Sequence, residues 1–243
     1  MDICPLLLQV PPTVYYIPDF ITEAEESYLL HRIESSPKPK WTQLSNRRLQ
    51  NWGGLPHPKG MLSEKLPPWL DQICARVSDL GAFGDKRANH VLVNEYQPGQ
   101  GIMPHEDGPL YYPTVSNLTV GSHSVLKFYH PVSEKTSPST TETMGDHAEP
   151  TQPVGAESSF DSRHFASMLL ERRSLFLMRD EMYTKYLHGI DELRSDTLDK
   201  NIVNIDRCRS NIGNTLERGV RVSLTIRHVP NVLKTKIFVG LRR

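Results

Sequence analysis

A mainly β fold with helices added (α+β), a β-sandwich or jelly roll backed by an N-terminal helical layer, is what this sequence predicts. From His90 to Arg227 the chain returns repeatedly to short runs of aliphatic, aromatic and β-branched residues, broken by glycine and proline turns. Before them lie two stretches with apolar residues at helical spacing. The length, 243 residues, allows one sizeable core or at most two small domains. We expect an N-terminal tail over residues 1–12 and one domain over residues 13–243.

Taken in order, Val14–Ile17 is a strand ended by Pro18 and Asp19. Thr22 and Glu25 form a capping box, and Tyr28, Leu29 and Ile33 mark the apolar face of the helix that follows. Prolines between Ser35 and Lys40 break it. Pro67-Pro68-Trp69 opens a second helix with a stripe of Leu70, Ile73, Val77 and Leu80, closed by Gly81 and Gly84. His90–Tyr96 alternates, with Val91 and Val93 on one face and Leu92, Asn94 and Tyr96 on the other; Pro98–Gly101 turns it. Val115–Val120 and Val125–Tyr129 read as a hairpin joined through Gly121–Ser124, with His123 structural. Pro131–Arg163 is rich in serine, threonine, proline and acids and reads as a flexible insertion; its His147 and neighbouring His164 are not expected to bind metal. Met168–Leu170 and Ser174–Met178 return to strand character, and Tyr183–Ile190 reads as an aromatic strand carrying His188 near its end. Asp191–Gly219 is a second polar insertion. Arg221–Arg227 alternates most cleanly, with Val222, Leu224 and Ile226 facing a core.

The bulk chemistry is that of a soluble globular protein, 37% hydrophobic and 23% charged. Lys+Arg and Asp+Glu both number 28, so nucleic-acid binding would need a local patch. Cys4, Cys74 and Cys208 are odd in number and far apart, which argues against a disulfide framework or structural zinc and suits a reducing compartment. The opening residues, with Leu6-Leu7-Leu8 but no basic region ahead of them, do not read as a signal peptide. No apolar run approaches the roughly 20 residues that span a bilayer. A monomeric cytoplasmic and nuclear protein is expected.

Chemistry concentrates at His105-Glu106-Asp107. On an extended chain residues two apart leave the same face, so His105 and Asp107 make two-thirds of a facial metal triad. Such a pair also occurs in exposed turns, and a third ligand must come from elsewhere. His188 is the candidate, although a lone histidine on an aromatic strand is also an ordinary core residue. Arg221, Ser223, Thr225 and Arg227 share a face that is either wet or a carboxylate clamp, since arginine's fork matches a carboxylate. With Asn94 and Tyr96 these groups would hold a dicarboxylate beside the metal. Lys38–Lys59 contains five cations and no acid, with Trp41 and Trp52 between them. That pattern fits single-strand nucleic-acid binding, and equally a hairpin whose tryptophans pack on the core. Lys234, Lys236, Arg242 and Arg243 make a second basic group.

Five segments in order carry a resemblance to a known family: Trp41–Leu44 with Asn51–Gly54, Val93–Tyr96 with Pro98-Gly99, His105–Asp107, Leu187–Ile190, and Arg221–Arg227. From about Tyr15 onward the chain resembles the AlkB family of iron(II)- and 2-oxoglutarate-dependent dioxygenases. The resemblance implies a double-stranded β-helix, a form of jelly roll. It implies Fe(2+) held by His105, Asp107 and His188, with 2-oxoglutarate and O2 as co-substrates. Asn94, Tyr96 and Ser223 match the contacts to 2-oxoglutarate, Ser223 standing where the family's best-known member has asparagine. Arg221 matches the arginine on the distal carboxylate, and Arg227 the one near the proximal carboxylate and the aspartate ligand. The implied reaction is oxidative demethylation of N-alkylated bases in RNA or DNA. Residues 38–60 would form a substrate lid, with Lys38, Lys40, Trp41, Arg47, Arg48 and Trp52 as contacts, joined by Tyr111 and Tyr112. Two alternatives stand beside it: the same chemistry on a protein side chain or small molecule, and a non-catalytic nucleic-acid-binding member of the fold.

Overall fold

Residues 13–131 and 160–233 are described by the computed structural model. The expected tail, the body of the first insertion with His147, and the basic residues from Lys234 lie outside them.

The chain opens with β1 (Val14–Ile17) and α1 (Glu23–Glu34). Thr22 caps α1 reciprocally: Glu25 N–H donates to Thr22 Oγ1 and Thr22 N–H to Glu25 Oε2. Leu29 and Ile33 are buried as expected, but Tyr28 is 51% exposed. The buried residue on that face is Glu26, whose carboxylate accepts from Gly121 N–H and from Arg172. After a 3-10 turn at Lys38–Lys40 come β2 (Thr42–Gln43), β3 (Arg48–Trp52), β4 (Gly54–His57), β5 (Gly60–Ser63) and α2 (Pro68–Asp79), whose Leu70, Ile73 and Val77 are buried. Next are β6 (His90–Tyr96), β7 (Ile102–His105), β8 (Thr114–Val120) and β9 (Ser124–Tyr129). The first insertion ends in a helical turn, α3 (Phe160–Arg163), where Arg163 donates to His130 O. Then follow β10 (His164–Leu170), β11 (Leu175–Arg179), α4 (Asp180–Thr184), β12 (Leu187–Ile190), β13 (Ser195–Thr197), β14 (Thr215–Glu217), β15 (Arg221–Arg227) and β16 (Val232–Leu233).

Two facing sheets make the jelly roll. The 7-stranded sheet runs β1-β11-β8-β15-β6-β3-β2 and the 4-stranded sheet β10-β9-β12-β7. Two small sheets, β13-β14 and β16-β5-β4, flank them. The outer face of the large sheet (Val91, Val93, Leu118, Val222, Leu224, Ile226) packs under α1 and α2, so the helices form the expected support layer. A second core, with Phe128, Met168, Phe176 and Met178, lies between the sheets.

Two local expectations are corrected, and the second insertion gains a structure that its composition left open. Strands β8 and β9 are not a hairpin: β8 pairs with β11 and β15, β9 with β10 and β12. The link at Gly121–His123 crosses from one sheet to the other, because a jelly roll closes its core by moving consecutive strands between layers. The segment before His188 is not continuous strand; Asp180–Thr184 turns as helix and only Leu187–Ile190 pairs. The second polar insertion is folded: its Leu198 and Ile202 pack on Val125 and Leu169 of the 4-stranded sheet. Asn204 closes that sheet's edge, donating to Leu169 O and accepting from Leu169 N–H.

Candidate active site

Antiparallel pairing of β12 with β7 sets His188 directly opposite His105, and the two rings lie 4.5 Å apart. Gly189 makes that approach possible: a Cβ there would meet Pro104 N at 2.9 Å and Ile102 O at 3.0 Å. Asp107, two residues beyond His105, completes the cluster, and one ligand atom from each of the three lies within 4.8 Å of the others. The donor set suits a divalent iron. His105 Nδ1–H donates to Met103 O at 2.8 Å, which leaves Nε2 as the ring atom turned to a metal. Burial pushes His188 down to about 4 despite Asp107 nearby, so it is neutral at pH 7. Burial raises the Asp107 carboxyl, but Arg227 and the two imidazoles outweigh it and hold it below the usual carboxylate range. Arg227 Nη2 donates to Asp107 Oδ1, while the buried Oδ2 has no hydrogen-bond partner among the described residues. A buried carboxylate oxygen left without a hydrogen-bond donor beside two imidazoles is what a cation would satisfy.

These residues open on a cavity of about 290 Å³ between the two sheets. The pocket face of β15 contributes Arg221, Ser223, Thr225 and Arg227; its neighbour β6 contributes Leu92, Asn94 and Tyr96. Arg221 is 3% exposed. Its Nη2 donates to Asn117 Oδ1 and Thr119 Oγ1, both at 3.0 Å, and no salt bridge joins it among the described residues. Burial pushes its pKa down to about 10, so it remains charged at pH 7 without a counter-ion among the described residues. A buried, unpaired guanidinium is a receptor for a carboxylate. Apolar walls come from Ile102, Val115, Leu126, Phe176 and Ile190.

The expected substrate residues divide. Arg47 lines the cavity, donating from Nε to Asn94 Oδ1 at 3.1 Å. Tyr111 also lines it, its ring 4.4 Å from the Arg227 guanidinium. Lys38 is exposed at the start of the hairpin. Lys40, Trp41, Arg48 and Trp52 lie outside the cavity lining and make contacts between the hairpin and the body. Lys40 pairs with Glu64 at 2.9 Å and sits over the Trp52 ring. Arg48 grips Glu95 with two donors, reaches Glu34, and stacks on Trp41 at 4.0 Å. Trp52 donates to Gln50 Oε1 and packs edge-on against Trp69. Tyr112 turns away from the cavity, against Phe83 and His228. Asn117 went unrecognised in the sequence; the signal was a polar residue at an inward position of β8, between Val115 and Thr119.

A jelly roll with this triad and two cavity-facing arginines defines an iron(II)- and 2-oxoglutarate-dependent oxygenase. The chain belongs to the 2OG-Fe(II) oxygenase superfamily, whose family model matches residues 31–227. Its similarity is to AlkB proteins. It is 55% identical, over 97% of this chain and 93% of the relative, to "Probable RNA/DNA demethylase ALKBH6" of Danio rerio. It is 27% identical, over 90% of this chain and 59% of the relative, to "Alkylated DNA repair protein ALKBH8 homolog" of Arabidopsis thaliana. The solved structure of OsALKBH1 shares the fold with a TM-score of 0.54, at 12% identity over 91% of this chain and 100% of that one. Among the described residues no helix is long and apolar enough to cross a membrane.

Proposed function

We propose that this chain removes N-alkyl groups from bases of RNA or DNA by oxidising the carbon attached to nitrogen. The observation that carries the reading is the placement of His105, Asp107 and His188 in one cavity with Arg221 and Arg227. The similarity to a relative named as an RNA/DNA demethylase supports the choice of substrate.

His105 and His188 would hold iron through imidazole lone pairs and Asp107 through its unpaired Oδ2, with Arg227 fixing the other carboxylate oxygen. Arg221 would anchor the far carboxylate of 2-oxoglutarate, with Asn94, Tyr96 and Ser223 lining its path. Bound iron with 2-oxoglutarate and O2 supplies the oxidation: the keto acid becomes succinate and CO2, and the substrate C–H becomes C–OH. On an N-methyl group the product hydroxymethyl leaves as formaldehyde, restoring N–H. Ile102, Val115 and Ile190 give the cavity an apolar wall. The triad and the arginines line one cavity between the two sheets, so a base under attack has to enter it. The base must therefore be unstacked or already single-stranded. Arg47 at the cavity and Lys38 outside it are the cations placed for a phosphate. The location that fits this substrate is cytoplasmic and nuclear, where free thiols such as Cys74 and Cys208 persist.

The test is turnover against methylated oligonucleotides, single- and double-stranded, RNA and DNA, read by mass spectrometry. Loss of a methyl group with stoichiometric succinate is the expected result. Succinate formed without demethylation of any oligonucleotide in the panel would sink the nucleic-acid reading and leave the oxygenase class standing.

A further inference from the structure

The folded segment between β12 and β15 contains a buried ion pair that the proposed chemistry does not use. Asp196 is 4% exposed and Arg218 8%. Arg218 Nε and Nη2 donate to the two oxygens of Asp196, both at 2.6 Å, and Nη1 donates to Asp191 O at 2.7 Å. His123 Nε2 donates to Asp196 Oδ2 at 3.2 Å. The backbone repeats the pattern: Arg218 N–H donates to Arg194 O, and Gly219 N–H to Ser122 Oγ.

The positions of these residues matter. Asp191 follows the last residue of β12, the strand that carries His188. Arg218 stands shortly before Arg221, the first residue of β15. The two strands belong to different sheets and share no ladder. His123 comes from the link that crosses between those sheets. One guanidinium thus ties the end of the metal-ligand strand to the start of the carboxylate-clamp strand, with the crossing link as third support. The bridge is also close to the clamp. Tyr96, His123, Ile190, Arg218 and Arg221 wall a single void of about 10 Å³, too small for substrate. Arg218 is among the charges felt by the Arg221 guanidinium.

The co-substrate must reach from the metal at His188 to the guanidinium of Arg221. Whatever sets the gap between β12 and β15 sets the length of diacid that fits. We propose that the Asp196–Arg218 pair, braced by His123, is a positioning device that sets the His188–Arg221 separation and so selects the chain length of the 2-oxo diacid. The inference rests on the oxygenase class and is independent of the nucleic-acid substrate.

The experiment is calorimetric binding of 2-oxoglutarate and of 2-oxoadipate, one methylene longer, to the full chain loaded with Mn(II) without oxygen. Two variants are compared with the native chain. The double variant Asp196→Leu with Arg218→Met removes both charges and keeps the volume, a replacement that buried ion pairs often tolerate. Arg218→Lys keeps the charge and loses the fork. In both, Kd for 2-oxoglutarate should rise about tenfold, as for removal of groups that orient a ligand set. The preference for 2-oxoglutarate over 2-oxoadipate should narrow, and Mn(II) affinity should hold. Folded variants that bind 2-oxoglutarate within about twofold of native, or that weaken both diacids equally, overturn the proposal. Should the double variant fail to fold, Arg218→Lys decides by the same two criteria.

Discussion

Replacing Arg221 with methionine should separate co-substrate binding from folding, with opposite consequences for each. In the native chain the guanidinium is buried among neutral partners, Asn117 and Thr119, and its Nε has none. Burial pushes its pKa from 12.5 to about 10, a penalty on the charged form of about 3 kcal/mol. Its two hydrogen bonds, each worth at least about 1.5 kcal/mol from a charged donor, offset that penalty. Methionine carries neither contribution, so the ligand-free variant should melt within about 4 °C of native. Binding behaves differently. Truncating one partner of a desolvated charge pair costs about 2–5 kcal/mol, at least a roughly 30-fold rise in Kd for 2-oxoglutarate. The assay is thermal melting of the Mn(II)-loaded protein with and without the diacid. At a concentration near 100 times the native Kd, 2-oxoglutarate adds about 2.7 kcal/mol to the native chain. For a chain of this size that raises Tm by about 5–10 °C. In the variant the same concentration should raise it by about 3 °C or less. A ligand-free Tm lowered by more than about 8 °C would show that Arg221 holds the fold. An undiminished response to 2-oxoglutarate would show that it does not hold the co-substrate.

Other expectations follow from the same geometry. His188→Ala should abolish succinate formation and weaken Mn(II) binding with little loss of Tm; retained turnover would remove His188 from the site. Glu26→Gln, at the buried end of α1, should cost about 1–3 kcal/mol at pH 7 through its lost charged hydrogen bonds. Burial raises that carboxyl, but the Arg172 and Gly121 donors outweigh it, so its folded pKa lies below 4.5. Its stabilisation is therefore complete above pH 4.5 and lost as pH falls through the folded value. Acid titrations of stability should show the native and Glu26→Gln curves converging there; parallel curves would refute the assignment. Lys40→Gln with Arg48→Gln should lower Tm while leaving the salt dependence of oligonucleotide binding unchanged, whereas Arg47→Ala should weaken binding at the cavity; the reverse pattern would return the hairpin to the substrate surface.

Local patterns were legible where a single element determines the outcome. The Thr22–Glu25 box, the stripe of α2 and the alternation of β15 depend on spacing along one helix or strand. The pairing partner of β9 was not legible. Val115–Tyr129 has the periodicity and turn of a hairpin, and which sheet each strand joins depends on contacts with β10, β11, β12 and β15. The pairing of the lid cations was not legible for a related reason. Lys38–Lys59 contains no acid, yet Glu34, Glu64 and Glu95, remote or just outside, neutralise Lys40 and Arg48 after folding.

The sequence by itself determined the residue types and faces of the site: His105 and Asp107 two apart, Arg221 and Arg227 on one side of a strand, Asn94 and Tyr96 on one side of another. Period-two alternation is a property of the extended chain and needs no partner. Only the tertiary structure decided that His188 meets His105 and that Arg221 lies buried without a counter-ion among the described residues. Register across β7 and β12, and burial between two sheets, come from residues far apart in the chain. The same is true of Asp196 and Arg218, separated along the chain and joined by packing in a segment that looked merely polar.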